Sequence, residues 1–354
     1  MTARTLMAAL AVPLAFAMAQ TARETPPDQS AYLAASRTAD PAQKIAALEK
    51  FKQDFPKSNY GQMADNTILS TLLKSMPDEK ARIGKVAAAI YKSAAARDKE
   101  VSRGGVATTR NRESAAQRIA EQFLSAGLYL KDAEGWARRS IDPMRQNVWL
   151  SEQREAAAKR QQPVPPQEEL VKRFHELQAA RQGVLGRIEW KLGREADARK
   201  LLEGAYAVNA GNVEAAAALG EMAHKDGDDA KALDYLIPVR LSGHAPKSAN
   251  EALESIYRKT HNGSLAGLET MLDAEYRKRF PNPIHAEAYQ PDAKRSGRVV
   301  LGEVFTGSGC PPCAGADLAF DAAMERFPHA DFAVVMYHQH IPRPDPMTTP
   351  ETTA

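Results

Sequence analysis

Residues 185–202, LGRIEWKLGREADARKLL, can be laid over residues 219–236, LGEMAHKDGDDAKALDYL, without a gap. Leu185-Gly186 recurs as Leu219-Gly220, Gly193 as Gly227, Ala198 as Ala232 and Leu202 as Leu236, each time 34 residues later. A repeat of that length holds one helix–turn–helix unit. The coincident residues have the sizes such a unit needs. Gly186 and Gly220 let the first helix lie close to the second, and Gly193 and Gly227 end the first helix. Ala198 and Ala232 keep the crossing tight, and Leu202 and Leu236 fill the space beside it. One unit cannot bury its own apolar face, so units of this kind stack into arrays.

The same texture extends outward over residues 31–280, rich in Ala, Leu, Lys, Arg and Glu. Ile45, Leu48 and Phe51 show its helical spacing. Helix breaks are expected at Phe55-Pro56, Met76-Pro77, Gly104-Gly105, Asp142-Pro143 and the Pro163–Pro166 cluster. Nothing in this region reads as strand. A degenerate third unit continues from about residue 247, with Leu253, Tyr257 and Ala266 in register. Residues 41–74 and 114–139 read as further irregular helix pairs. The period and its four coincident positions resemble the tetratricopeptide (TPR) repeat, most clearly over residues 179–246, with Gln182 and Ala216 where that family has Trp. The resemblance implies a groove that binds other proteins. A spacer or dimerisation element is the alternative, because a repeat reports fold and not ligand.

Near residue 281 the character changes. Pro281-Asn282-Pro283 stops the last helix, and residues 281–297 read as a linker with one short strand around Ile284 to Ala288. Val299 to Phe305 reads as a buried strand, Cys310 to Phe327 as a helix, and Asp331 to Tyr337 as a second buried strand. The only two cysteines, Cys310 and Cys313, fall between the first strand and the helix. A pair closing so short a loop restrains the unfolded chain little, so a structural staple explains it poorly. A cysteine at a helix N-terminus instead faces unpaired amides and the positive end of the helix dipole, which favour the thiolate. Cys310 is the expected nucleophile, and Cys313, one turn inside, can attack the resulting mixed disulfide. The two prolines stiffen the turn, and Ser308 is placed to cap the helix.

The run Glu303-Val304-Phe305-Thr306-Gly307-Ser308-Gly309-Cys310-Pro311-Pro312-Cys313 resembles secreted members of the thioredoxin superfamily. That resemblance implies a disulfide reductase, oxidase or isomerase, with Cys310 attacking and Cys313 resolving. Gly309 stands where many members have Trp. Where many carry a buried acid six residues before the first cysteine, this chain has Val304, and the acid is Glu303. Adjacent strand residues face opposite ways, so Glu303 serves as a proton-handling catalytic group only if the strand is bulged or differently registered; otherwise it is solvated or paired. The resemblance covers residues 298–354, whereas such a domain needs roughly 100 residues. The expected fold class is therefore mainly α, a TPR-like array followed by an incomplete α/β (β–α–β) thioredoxin-like domain. We expect the natural protein to be longer.

Cys310, Cys313, His338 and His340 form a second pattern, C-x2-C followed by H-x-H, which could hold zinc or copper. The intervening helix and the spacing of the histidines argue against it, so no metal is assigned. His175, His224, His244, His261 and His285 have no carboxylate or nucleophile at a telling spacing and read as surface or capping residues. No Gly-rich phosphate loop and no H-E-x-x-H motif is present, so no cofactor is expected.

The bulk numbers agree with a soluble protein. The chain has 354 residues, 47 basic and 44 acidic, for a formal net charge of +3. That gives no field to attract nucleic acid or an anionic membrane. Residues 1–19 have the form of a signal peptide: Arg4, an apolar run from Leu6 to Ala17, and Ala17-Met18-Ala19 as a cleavage site. Residues 20–30 read as a loose mature N-terminus. The expectation is an exported protein, periplasmic or secreted, without membrane insertion after cleavage. A non-enzymatic adaptor with a vestigial thioredoxin-like tail is the alternative function.

Overall fold

The computed structural model describes residues 26–103, 108–290, 297–339 and 347. The expected signal peptide and His340 lie outside the described residues. Most of the described chain is helical. In order come α1 (Pro27–Ser36), α2 (Pro41–Asp54), α3 (Gly61–Ser75), α4 (Lys80–Ser102), α5 (Arg110–Ala126), α6 (Leu130–Ile141) and α7 (Gln146–Lys159). These are followed by α8 (Gln167–Lys191), α9 (Glu195–Val208), α10 (Val213–Lys225), α11 (Asp229–Leu241), α12 (Lys247–Thr260) and α13 (Leu268–Arg279). A β–α–β segment closes the order: β1 (Val300–Thr306), α14 (Pro311–Arg326) and β2 (Phe332–His338). The helix ends next to Phe55, Met76 and Asp142, and the gap from α7 to α8 at the proline cluster, fall where the sequence places breaks.

The chain divides into two compact units, Met1–Leu219 and Gly220–Ala354. In the first, successive helices pack as neighbours, α1 on α2, α2 on α3, α4 on α5, α5 on α6 and α8 on α9. The core is a continuous apolar strip that includes Ile45, Leu48, Ile68, Leu72, Ile90, Ile119 and Ile188. Small residues allow the close crossings. An added Cβ at Gly186 on α8 would sit 2.8 Å from Leu202 Cγ on α9. Buried charge is paired: Arg181 reaches the Glu113 carboxylate at 2.9 Å and also donates to the Ser140 carbonyl. Asn212 caps α10, accepting from Ala215 N at 3.1 Å while donating to the Ala179 carbonyl at 2.9 Å.

The N-terminal expectation needs one correction. Residues 27–30 are the first turn of α1 and are not loose. Pro27 opens the helix at a position where its missing amide does no harm. Asp28 accepts from Ser58 Oγ at 2.7 Å, and Tyr32 stacks on Tyr60 with ring centres 5.2 Å apart.

In the second unit α11 packs on α12 and α13. Here Gly220 repeats the role of Gly186, with an added Cβ 2.7 Å from Leu236 Cγ. β1 and β2 form a two-stranded parallel sheet, with Val300 opposite Phe332 and Thr306 opposite His338. Residues 281–290 of the expected linker after α13 are neither free nor a strand. Asn282 Nδ2 donates to the Leu318 carbonyl at 3.2 Å, and Tyr289 N donates to the Arg326 carbonyl at 2.7 Å. Tyr289 also packs against Phe327, ring centres 5.4 Å apart. These contacts hold residues 282 and 289 against α14, and Tyr289 N finds its acceptor there without a strand partner.

Candidate active site

The site starts from the alternation of β1. Gly302, Val304 and Thr306 face α14: an added Cβ at Gly302 would meet Phe320 at 2.8 Å, and Thr306 Oγ1 donates to Asp317 Oδ2 at 2.9 Å. Val304 and Thr306 are accordingly buried. Leu301, Glu303 and Phe305 point the other way. Leu301 and Phe305 remain 58% and 61% exposed, so α14 covers one face of the sheet only.

After Thr306 the chain turns, with Cys310 N donating to the Gly307 carbonyl at 3.0 Å, and α14 begins. Cys310 itself is the N-cap, in an extended conformation, and Pro311 and Pro312 occupy the first helical positions. The Cys310 carbonyl accepts from Cys313 N at 3.0 Å and Ala314 N at 3.2 Å. Ser308 is therefore not the N-cap the sequence suggests. As in any helix, the N-cap carbonyl takes the first intrahelical bonds, and Pro311 and Pro312 fill positions whose amides would have no intrahelical partner. Cys310 and Cys313 are joined as a disulfide with Cα atoms 5.2 Å apart. Cys310 is buried and Cys313 half-buried.

Glu303 is not brought to this pair. Its strand pairs without interruption from Val300 to Thr306, so the bulge its catalytic role requires is absent. Its carboxylate instead accepts from the Tyr337 hydroxyl at 3.0 Å on the uncovered face. That bond to a carboxylate holds the Tyr337 phenol above its ordinary range. Phe305 stacks on the Tyr337 ring with centres 5.0 Å apart.

The carboxylate that does approach the helix start is Asp317, which the sequence reading passed over. It lies four residues after Cys313, the spacing that puts two side chains on one helix face. Its Oδ2 takes the Thr306 hydroxyl, whereas its Oδ1 is buried without a hydrogen-bond partner among the described residues. His338 sits at the end of β2 opposite Thr306. Among the described residues no three His, Cys, Asp or Glu side chains are grouped as a metal ion would need.

Of the scattered histidines, His224 does have a carboxylate. Its Nδ1 is 2.6 Å from Asp229 Oδ1, and Lys259 Nζ is 2.7 Å from Asp229 Oδ2. Lys259 first, then His224, hold the Asp229 carboxyl below its ordinary range. The turn between α10 and α11 creates this contact from a spacing of five residues, which no single-helix pattern reveals. No nucleophile adjoins it among these contacts, and it ties α10, α11 and α12 together.

No protein-family model matches the sequence, and no curated protein matches it. Among the described residues no helix is long and apolar enough to cross a membrane.

Proposed function

We propose that the protein is an exported thiol–disulfide oxidoreductase of thioredoxin type, acting through Cys310 and Cys313, with its TPR-like helices as a scaffold that holds a client or redox partner protein. The observation that carries the reading is the place of Cys310: it ends the turn after β1 and is the N-cap of α14, with Cys313 within disulfide reach. The positive end of a helix stabilises an anion at that position, so the reduced Cys310 is a thiolate near neutral pH. Support for the scaffold comes from the equivalent close approaches of Gly186 to Leu202 and Gly220 to Leu236 at the 34-residue period. The pattern of residues 1–19 supports export.

The chemistry follows from the pair. The Cys310 thiolate attacks a client disulfide, a mixed disulfide forms, and one client sulfur leaves as thiolate. Cys313 then attacks the Cys310 sulfur, the internal disulfide re-forms, and the second client sulfur is released. The client gains two electrons and the pair loses two. The same steps reversed oxidise a client dithiol.

Thiol alkylation of the reduced protein over about pH 4 to 9 tests the reading. Cys310 should react fast with a midpoint well below the ordinary thiol value of about 8.5, and the protein should reduce insulin disulfides. An ordinary thiol profile without insulin reduction overturns the enzyme in favour of the adaptor. Processing after Ala19 and recovery from the exported fraction are the results expected for localisation; retention of the intact N-terminus inside the cell overturns export.

A further inference from the structure

We propose that the cleft between α4 and α6 is a docking site for an acidic segment of a partner protein, one that inserts an aromatic side chain flanked by Asp or Glu. The proposal rests on the reading of the helices as a scaffold and gives that scaffold a place and a partner chemistry. It is independent of the cysteine chemistry.

The cleft has a volume of about 340 Å³ and lies within the first unit. α4 and α6 both pack on α5, whose buried Phe123 forms the floor. Each wall carries a glycine, Gly84 on α4 and Gly135 on α6, and an added Cβ at either would meet nothing within 4 Å. Glycine inside a helix costs stability relative to alanine. At Gly186 and Gly220 a close helix crossing accounts for that cost. At Gly84 and Gly135 no neighbour does, and what the missing side chains leave is the open space itself. Trp136 of α6 ties the walls together by packing on Tyr91 of α4, ring centres 5.5 Å apart. Tyr129, at the turn into α6, donates its hydroxyl to the Pro77 carbonyl just ahead of α4. Its backbone sits at φ 49°, a left-handed conformation that is costly for a bulky residue and is found where the surroundings hold it in place.

The rim is basic. Lys80 lies one turn before Gly84, and Lys131 and Arg139 lie one turn to either side of Gly135, so these cations share the faces that form the walls. Lys80 Nζ stands 5.1 Å from the centre of the Tyr129 ring, and Arg139 Cζ 4.5 Å from that of Trp136. A ring face orients a cation without neutralising it. None of the three has a carboxylate partner among the described residues. Other basic residues of the same helices do: Arg82 reaches Glu49 at 3.0 Å, and Arg138 reaches Glu189 at 2.8 Å. Against the three cations the cleft is lined by one carboxylate among the described residues, that of Asp132.

Size and charge together select the occupant. The volume is at the lower end of the range of about 300–1,000 Å³ that holds whole small molecules, so the cleft takes one large side chain. Ring surfaces and bare glycine backbone make a flat apolar slot. An aromatic anchor desolvated in such a slot carries much of the energy of a protein interface. The cations at the rim then meet carboxylates on both sides of the anchor and set its orientation.

The experiment uses the full chain and a fluorescein-labelled synthetic peptide in which one phenylalanine stands between two pairs of glutamates. Binding is read by fluorescence anisotropy. The peptide should bind, and added salt should weaken it, as expected for exposed charges. Lys131→Glu combined with Arg139→Glu should lower the affinity about tenfold or more. Replacing the phenylalanine of the peptide by alanine, which leaves the protein untouched, should also cost about tenfold. Gly84→Leu and Gly135→Leu fill the slot with a good helix former. Each should lower the affinity about tenfold while its urea-unfolding midpoint stays at or above that of wild type, so misfolding cannot account for the loss. Lys74→Glu, in a separate hollow of about 1000 Å³ along α3 and α5, should leave the affinity unchanged. No binding of the peptide overturns the proposal. So does binding that both leucine variants leave intact, which would mark a general attraction to basic surface. Binding lost in Lys74→Glu instead would move the partner to the other hollow; the scaffold reading would then stand and this docking site would fall.

Discussion

Alanine at Gly186 and at Gly84 should move stability in opposite directions, although both glycines lie inside helices. At Gly84 on α4 an added Cβ meets nothing within 4 Å. The substitution there only improves helix propensity, a gain of about 0.8–1.0 kcal/mol. At Gly186 on α8 the same methyl lies 2.8 Å from Leu202 Cγ, 3.0 Å from its Cδ2 and 3.2 Å from Leu201 Cβ. Leu202 has no exposed surface, so it has nowhere to swing. Overpacking of that kind costs about 1–3 kcal/mol. Subtracting a propensity gain of about 1 kcal/mol leaves a net loss of roughly 1 kcal/mol for Gly186→Ala. The two variants should therefore differ by about 2 kcal/mol. Gly220→Ala should behave like Gly186→Ala, because Leu236 Cγ and Cδ2 stand at 2.7 and 2.8 Å. Urea unfolding followed by far-ultraviolet circular dichroism reads the differences as shifts of the midpoint. A Gly186→Ala midpoint at or above wild type, with Gly84→Ala behaving normally, would refute the close-crossing argument.

Other consequences can be checked in the same protein. Arg181→Met strands the Glu113 carboxylate, which is 5% exposed, and should cost about 3–5 kcal/mol; adding Glu113→Leu should recover most of it, and failure to recover in urea unfolding sinks the pairing argument. Arg194 first, then Arg138, hold the Glu134 carboxyl below its ordinary range. A carboxyl with a depressed folded value stabilises above its unfolded value, and that share is lost as pH falls through the folded one. Glu134→Gln should thus be less stable than wild type by on the order of 1 kcal/mol near pH 7, and the gap should close in acid below about pH 4. A gap independent of pH in thermal melts would be the contrary result. Glu303→Gln should lower the Tyr337 titration toward the usual tyrosine range, because the carboxylate bond that raises it is gone. An unchanged difference spectrum of the phenolate band on alkaline titration would contradict the bond.

Much of the local structure was legible in the sequence because it follows from short-range chemistry. Prolines at 56, 77, 143, 163, 165 and 166 remove amides and clash with a preceding turn, so helices stop near them whatever the packing. The strand–cysteine–helix–strand order over residues 299–337 was readable from apolar runs, and the structure moves its boundaries by about one residue, the usual fraying of element ends. The site was half legible. The cysteines announce themselves by spacing, whereas Asp317 does not: nothing in the chain says that Thr306, eleven residues earlier, closes one of its oxygens and leaves the other buried. Glu303 attracted attention by closeness in sequence, and the regular pairing of β1 with β2 turned it to the opposite face. Residues 281–290 read as linker because extended backbone has no periodic signature, yet α14 holds them.

By itself the sequence determined where most helices break, the strand–helix–strand order around the cysteines, which small residues permit close crossings, and that the two cysteines stand at a helix start. Those are properties of neighbours along the chain and of a repeat that matches itself. Tertiary structure alone decided which carboxylate takes the Thr306 hydroxyl, which sheet face α14 leaves open, and how the buried Arg181 and Glu113 find each other across 68 residues. Such pairings depend on how elements pack, and packing joins residues whose separation along the chain carries no trace of their contact.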